Sequence, residues 1–316
     1  KTNNQIMKKF YALALCAVLA FNISCGSDDN GDSSKVKGSL TVEEGKEQLE
    51  DNSIELLNKI EDFKDNDALS KIIELAEYLS PANTTKSSDS KNIALNTISN
   101  ISSIEGTNKG IISFNAKQAV TVVDNSSLLD DYNEEKGIYN WNSETEEFDK
   151  TGTSDDIIYN IAYNNGKTAV FTVTDFNTTI AGGDDTEELP TLAKANLKID
   201  GVTVFSQEYS ATFQDGQLIP AKVNNTTTIA DFHFITAYTN SNNSTIKQSF
   251  QFKLNSDVIT GFDYTAKGNF NNEDGNVEDI FDSVSVSFQF LDAALTVSAK
   301  DDNFDSEDET LTIDEE

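Results

Sequence analysis

Few side chains in these 316 residues suit bond-making chemistry. There are two cysteines, Cys16 and Cys25, a single histidine, His233, a single tryptophan, Trp141, and no arginine. A hydrolytic triad needs a nucleophile, a base and a group that orients the base. No Gly-x-Ser-x-Gly is present, and His233 falls between Phe232 and Phe234, on the polar side of an alternating strand. A surface histidine is the simpler reading. Zinc takes Cys and His ligands, and this chain has too few. Carboxylates pose the opposite problem. Glu134-Glu135, Glu146-Glu147 and Asp155-Asp156 all lie beside strand ends, and two acids facing each other could hydrolyse a glycosidic bond. Among 54 acids, such adjacency is expected by chance. The loops at 271–276 and 301–305 are rich in hard oxygen ligands, yet the EF-hand register fails. With Gly275 sixth, Phe270 falls first and Phe281 twelfth, where carboxylates are required; with Gly31 sixth, Gly26 falls first. An irregular calcium site is the most these loops would offer. The expectation is no cofactor, no metal centre and no enzymatic activity.

The cysteines follow a different logic. Lys8-Lys9 precede an apolar run at residues 10–21, which leads into Asn22-Ile23-Ser24-Cys25-Gly26. A secretory signal has a basic start, an apolar stretch of about 7–15 residues and small residues before the cut. The run is short of the roughly 20 residues that span a bilayer as a helix. Ile23-Ser24-Cys25-Gly26 resembles the lipobox of bacterial lipoprotein signals, with Asn22 departing from the usual leucine. The resemblance implies cleavage before Cys25, which becomes the first residue and carries acyl chains such as palmitate. Gly26-Ser27-Asp28-Asp29-Asn30 resembles the acidic export tag of Bacteroidota surface lipoproteins, and Ser27, Asp28 and Asp29 would be its core. The same residue types also make an ordinary flexible tether, so the cell surface and the periplasmic face both stay open. Asp282-Ser283-Val284 resembles an O-glycosylation site of that phylum, which would make Ser283 the acceptor. Overall the chain resembles flavobacterial outer-membrane lipoproteins: lipobox, acidic tag, helical segment, then a Phe/Ser/Thr-rich antiparallel sheet. The specific motifs cover only residues 21–30, so the resemblance carries over no catalytic residue.

Charge narrows the partners. The net charge is −31, and removal of the signal takes away three lysines and no acid. Nucleic-acid binding leans on Arg and Lys patches, and so large an anion repels polyanions. Neither nucleic acid nor anionic head groups are expected partners. Membrane contact would come through acylated Cys25, for which two or more chains suffice. With Cys16 in the signal and Cys25 acylated, the mature chain has no disulfide, and burial must supply its stability. The 19 phenylalanines make a sizeable core possible.

The elements follow from periodicity. Residues 1–24 form the signal, with 1–6, upstream of Met7, reading as a mis-called extension; 25–40 form a lipidated acidic tether. A helical hairpin is expected over 41–80. Thr41-Val42-Glu43-Glu44 is a capping box, and Leu49, Leu56, Leu57, Ile60 and Phe63 give an imperfect stripe. After a break at Asp65-Asn66, Asp67 is placed to cap a second helix with Leu69, Ile72, Ile73, Ala76 and Leu79 on one side. Ser80-Pro81 ends it. Residues 81–109 read as a linker, with 93–101 ambiguous between helix and strand. Residues 110–316 read as an antiparallel β domain. Short strands are expected at 111–114 and 119–123, and hairpins around 142–145, Asn165-Gly166 and Asp200-Gly201, with a further turn at Asp215-Gly216. Thr312 to Glu316 ends without a turn or cap, which leaves open whether the chain continues.

In the last third one face is oily and the other wet. Ala230, Phe232, Phe234 and Tyr238 share a face, as do Ile246, Gln248, Phe250, Phe252 and Leu254. Val258, Thr260, Phe262, Tyr264 and Ala266 follow, then Val284, Val286, Phe288 and Phe290. Lys247, Ser249, Gln251, Lys253, Ser283, Ser285, Ser287 and Gln289 point the other way. The expected fold is mainly β with N-terminal helices: a one-sided antiparallel meander, as a curved sheet, open barrel or sandwich, partly covered by the helical hairpin. An outer-membrane barrel would also alternate, but the lipobox and the helices argue against it. Trp141 shares a face with Tyr139, as a core residue or a sugar platform. Three functions remain open. The first is a non-enzymatic surface module whose wet face meets a protein or glycan. The second is a carrier of a lipid or other apolar ligand in a cavity lined by Phe232, Phe250, Phe252, Phe262 and Phe288. The third is a carboxylate-dependent glycan hydrolase.

Overall fold

The computed structural model describes residues 42–79, 94–95, 97–98, 127–164, 166–182, 186–214, 217–270, 280–291, 293–300 and 312–315. The signal, Cys25, the tag residues Ser27, Asp28 and Asp29, the capping box at Thr41, the expected strands at 111–114 and 119–123, and both oxygen-rich loops lie outside them. Among the described residues, three full helices precede the sheet: α1 (Val42–Lys64), α2 (Asp67–Leu79) and α3 (Leu128–Glu135). None of the described helices is long and apolar enough to cross a membrane.

Thirteen strands then form one open sheet: β1 (Gly137–Asn142), β2 (Glu147–Gly152), β3 (Ile157–Tyr163), β4 (Lys167–Ala181), β5 (Glu187–Ile199), β6 (Val202–Phe213), β7 (Pro220–Ile229), β8 (Phe232–Ser241), β9 (Thr245–Leu254), β10 (Asp257–Gly268), β11 (Phe281–Phe290), β12 (Ala293–Lys300) and β13 (Thr312–Glu315). From β3 onward each strand pairs with the next, antiparallel, in chain order. The mainly β fold with N-terminal helices is thus the one adopted, as an open sheet.

One pair departs from the antiparallel rule. Strand β1 lies parallel to β3, with Tyr139 opposite Tyr159. Parallel neighbours ordinarily need a long crossover. Here β2 stands outside β1 as the sheet edge, and residues 153–156 round the start of β1 to reach β3. Gly137 makes this possible. Its φ is +152°, its N–H donates to the Asp156 carbonyl at 3.0 Å, and a Cβ there would crowd the Gly152 backbone carbonyl at 3.0 Å.

The turns explain the short connections. Asp200 and Gly201 both have positive φ, as a type I′ hairpin requires. Asn242, Asn243 and Asn255 take left-handed conformations that Asn tolerates. Ala230 does so as well, with φ +50°. It therefore belongs to the β7–β8 turn and not, as its alternation suggests, to the strand face of Phe232. Val258 also leaves its expected row. A bulge at Ile259 pairs Val258 with Lys253 and Thr260 with Phe252, so Val258 sits on the wet side while Ile259 is buried.

The helices lie over the oily face of the sheet. Phe63, at the end of α1, meets Phe232, Phe234 and Phe252 edge-on, with ring centroids 5.1, 5.4 and 5.8 Å apart. In α2, Leu69, Ile72, Leu75, Ala76 and Leu79 are buried, while Leu57 and Ile54 of α1 face outward. Asn66, not Asp67, caps α2: its Oδ1 accepts from the amides of Ala68 and Leu69, at 2.9 and 3.4 Å. Asp67 instead pairs with Lys71 one turn on. Glu74 reaches Lys167 and Asn164 on the β3–β4 hairpin. The ambiguous segment is helical at Ala94, Leu95, Thr97 and Ile98. Burial follows this cover. Phe171, Leu197, Ile199, Phe205 and Ile229 are fully enclosed, whereas no residue of β11 is.

Helix α3 carries no strong sequence signal, and its anchor is remote. Ser127 caps it, and the Glu188 carboxylate of β5 accepts from the amides of Leu128 and Leu129 and the Ser127 hydroxyl, at 2.8–3.3 Å. A carboxylate at a helix N-terminus satisfies donors that have no partner within the helix.

Candidate functional site

The wet side of the sheet is a continuous polar surface among the described residues. Because paired strand residues share a face, the register lists it directly. One row runs Ser210, Asn224, Ala237, Ser249, Asp263, Ser287 and Thr296 across β6 to β12. The next runs Glu208, Thr226, Ile235, Gln251, Gly261 and Gln289. Neighbours bond within it. Thr296 donates to Ser287 at 3.0 Å, and Thr228 Oγ1 lies 3.0 Å from His233 Nδ1.

Lysines concentrate here. Lys194, Lys198, Lys222, Lys247, Lys253 and Lys267 all occupy wet-face positions of β5 to β10. Lys300 holds the equivalent register position on β12, opposite Ser283. Glu208 and Asp263 are the acids within these rows. Lys194 reaches Glu208 at 3.4 Å and Asp175 at 3.7 Å. Among the described residues, no carboxylate lies within 4.0 Å of Lys198, Lys222, Lys247, Lys253 or Lys267. A chain of net charge −31 therefore presents one face with a local cationic excess. The alternation reveals the polar face and places Lys247 and Lys253 on it; the register adds Lys194, Lys198, Lys222 and Lys267.

The five phenylalanines expected around a cavity do share the oily face. Phe252 stacks on Phe232 at 5.8 Å, Phe250 on Phe262 at 6.1 Å, and Phe288 is the register partner of Phe262. Phe232 and Phe252 are buried and in contact with Phe63, which occupies the space between them and α1. Phe250, Phe262 and Phe288 are half-buried.

The remaining candidates scatter. His233 is on the wet face beside Thr228 and Lys253. Ser283 lies within paired β11, between Lys267 and Lys300. Trp141 packs edge-on against Phe148 at 5.1 Å. Glu134 and Glu135 end α3, Glu146 and Glu147 lie at the β1–β2 turn, and Asp155 and Asp156 fall in the connection to β3. No group of three possible metal ligands occurs among the described residues.

A cleft of about 360 Å³ opens at one end of the sheet. Pairing of β5 with β6 stops at Leu192 and Ser210, while β4–β5 runs on to Ala181 and Glu187 and β6–β7 to Phe213 and Pro220. The sheet forks there, and Thr179, Thr191, Thr212, Phe213 and Gln214 line the gap. None of its lining residues is ionisable.

Displaced titrations are structural. Burial, reinforced by Asp156 and Asp175, pushes Tyr132 up to about 12; burial and Glu135 do the same for Tyr139, and burial with Glu74 and Asp200 for Tyr163. Burial opposes the charge on Glu188, but the donors Thr178, Leu128, Ser127 and Leu129 outweigh it and hold the carboxyl below its ordinary value.

No family model matches this chain, and neither a curated protein nor a solved structure does.

Proposed function

We propose that this is a lipid-anchored extracytoplasmic protein, tethered to the outer membrane through acylated Cys25, that acts as a non-enzymatic binding module. The wet face of the sheet is its recognition surface. One observation carries the reading. Among the described residues, the sheet spends part of its oily side on the helices and leaves the other side uncovered and polar across at least seven strands, with Asp175 and Glu208 both held on Lys194. Residues 25–40 have the Gly-, Ser- and Asp-rich composition of a linker, and a linker there would let such a face approach a partner in the medium.

The apolar-carrier reading has less support, because Phe63 fills the space beneath Phe232 and Phe252. The hydrolase reading lacks a paired-carboxylate cleft among the described residues.

The test is labelling with an alkyne analogue of palmitate, together with fractionation and membrane-impermeant biotinylation of intact cells. Wild type should take the label, sediment with outer membranes and be biotinylated on lysine. Cys25→Ala should lose both label and sedimentation. An unlabelled wild type, or a variant that fractionates like it, removes the anchor and with it the proposed location.

A further inference from the structure

We infer that the wet face binds a linear acidic polysaccharide, a hydroxyl-rich chain bearing carboxylates. This rests on the reading of that face as the recognition surface and adds the class of ligand.

The spacing of charge comes first. Lys222 and Lys247 are both register partners of Thr239, on strands two apart. Lys247 pairs with Thr265, and Lys267 follows two residues along β10. Strand and residue spacings place neighbouring members of this row about 8–10 Å apart. Lys267 pairs with Ser283, which pairs with Lys300, so the row extends in register to β12. A diagonal line of lysines thus crosses β7, β9 and β10, and its register continues to β12. Lys222, Lys247 and Lys267 are exposed, with no carboxylate partner among the described residues. Between them stand Thr239, Thr265, Ser285 and Ser249.

The chemistry of this surface discriminates among polyanions. Binding of single-stranded nucleic acid uses aromatic platforms, and phosphate recognition favours the bidentate fork of arginine. The described wet-face rows of β6 to β11 carry no Phe, Tyr or Trp, and the chain has no arginine. Protein hot spots are enriched in Trp, Tyr and Arg, which are missing here for the same reason. Insertion into a lipid surface needs an apolar face beside the basic one, and on this sheet the apolar face lies on the opposite side. Hydroxyls and amides between isolated ammonium groups complement a chain whose own surface is hydroxyls between isolated carboxylates. The acidic remainder of the protein repels polyanions at long range, so attraction is confined to contact with this face.

The full chain, purified in mild detergent, is passed over immobilised polygalacturonate, with neutral dextran, single-stranded DNA and phosphatidylglycerol vesicles as comparison surfaces. Polygalacturonate should retain it and dextran should not, with retention weakening as salt rises. The triple variant Lys222→Ser, Lys247→Ser, Lys267→Ser should bind about tenfold more weakly with an unchanged circular dichroism spectrum. The matching Lys→Arg triple should keep most of the binding, and Lys136→Ser, on the helix side, should keep all of it. Equal retention on dextran, preference for DNA or vesicles, no retention on any surface, or an unaffected Ser triple overturns the inference. The assay is independent of the anchor. Loss of binding leaves a palmitate label at Cys25 standing, and absence of the label leaves binding standing.

Discussion

Lys222 and Lys247 flank one residue, Thr239, which pairs with both across β7, β8 and β9. Two ammonium groups about 10 Å apart in water repel by only about 0.4 kcal/mol, and salt screens even that. Their side chains contribute nothing to the core. Replacing both by Ser should shift stability by no more than about 0.5 kcal/mol in urea unfolding. A loss well above that would mean the face serves the fold and not a partner.

Phe63 is the opposite case. It is buried against three phenylalanines of β8 and β9. Truncation of an enclosed Phe costs about 3–5 kcal/mol. Phe63→Ala should lose that much, and hydrogen exchange should rise first in α1 and α2, which it joins to the sheet. Unchanged protection in both helices would show that they dock without it.

Acid should act on α3 through Glu188. Its carboxyl is held below the ordinary 4.5. A depressed carboxylate contributes stability that is fully present above the unfolded value and is lost as pH falls through the folded one. The Leu128 and Leu129 amides should therefore stay protected from neutral pH to below 4.5 and open beneath it. Glu188→Gln should weaken the clasp at neutral pH by about 1–2 kcal/mol and flatten the acid dependence. Protection that follows the same pH curve in both proteins would remove Glu188 from the explanation.

Alkali should destabilise the region from α3 to β3. Tyr132, Tyr139 and Tyr163 are pushed from 10.0 to about 12. Above pH 10 the unfolded chain gives up phenolic protons that the fold retains, so stability falls as pH rises toward 12. The urea midpoint should drop across this window while phenolate absorbance of the native protein lags behind that of the unfolded chain. Native tyrosines that all titrate at the ordinary value would contradict the burial argument.

The fold was legible where one property repeated at a fixed period. Phe250, Phe252 and Leu254 alternate with Gln251 and Lys253, and that pattern needs only the strand's two-residue period to assign the faces. Asp200-Gly201 marked its turn because few residue pairs accept two positive φ angles. Ala230 misled for the converse reason. Its apolar side chain fits the alternation, while its backbone was bent by the turn. Strand β7 showed little, since Asn224, Asn225, Thr226, Thr227 and Thr228 carry no contrast between faces. The sequence does not single out Asn66 as the cap of α2, because Asp67 beside it is equally capable and only the backbone angles decide between them.

By itself, the order of residues determined the mainly β character, the oily and wet sides, the helical pair and the poverty of catalytic side chains, because each depends on composition or on local period. The tertiary structure alone decided that the sheet stays open, that Phe63 occupies the space beneath Phe232 and Phe252, that Glu188 reaches α3 from β5, and that Lys222, Lys247 and Lys267 share a diagonal. Those are relations between residues distant in the chain. They depend on strand register and on bulges such as Ile259, where a shift of one residue would turn every lysine of a strand to the other side.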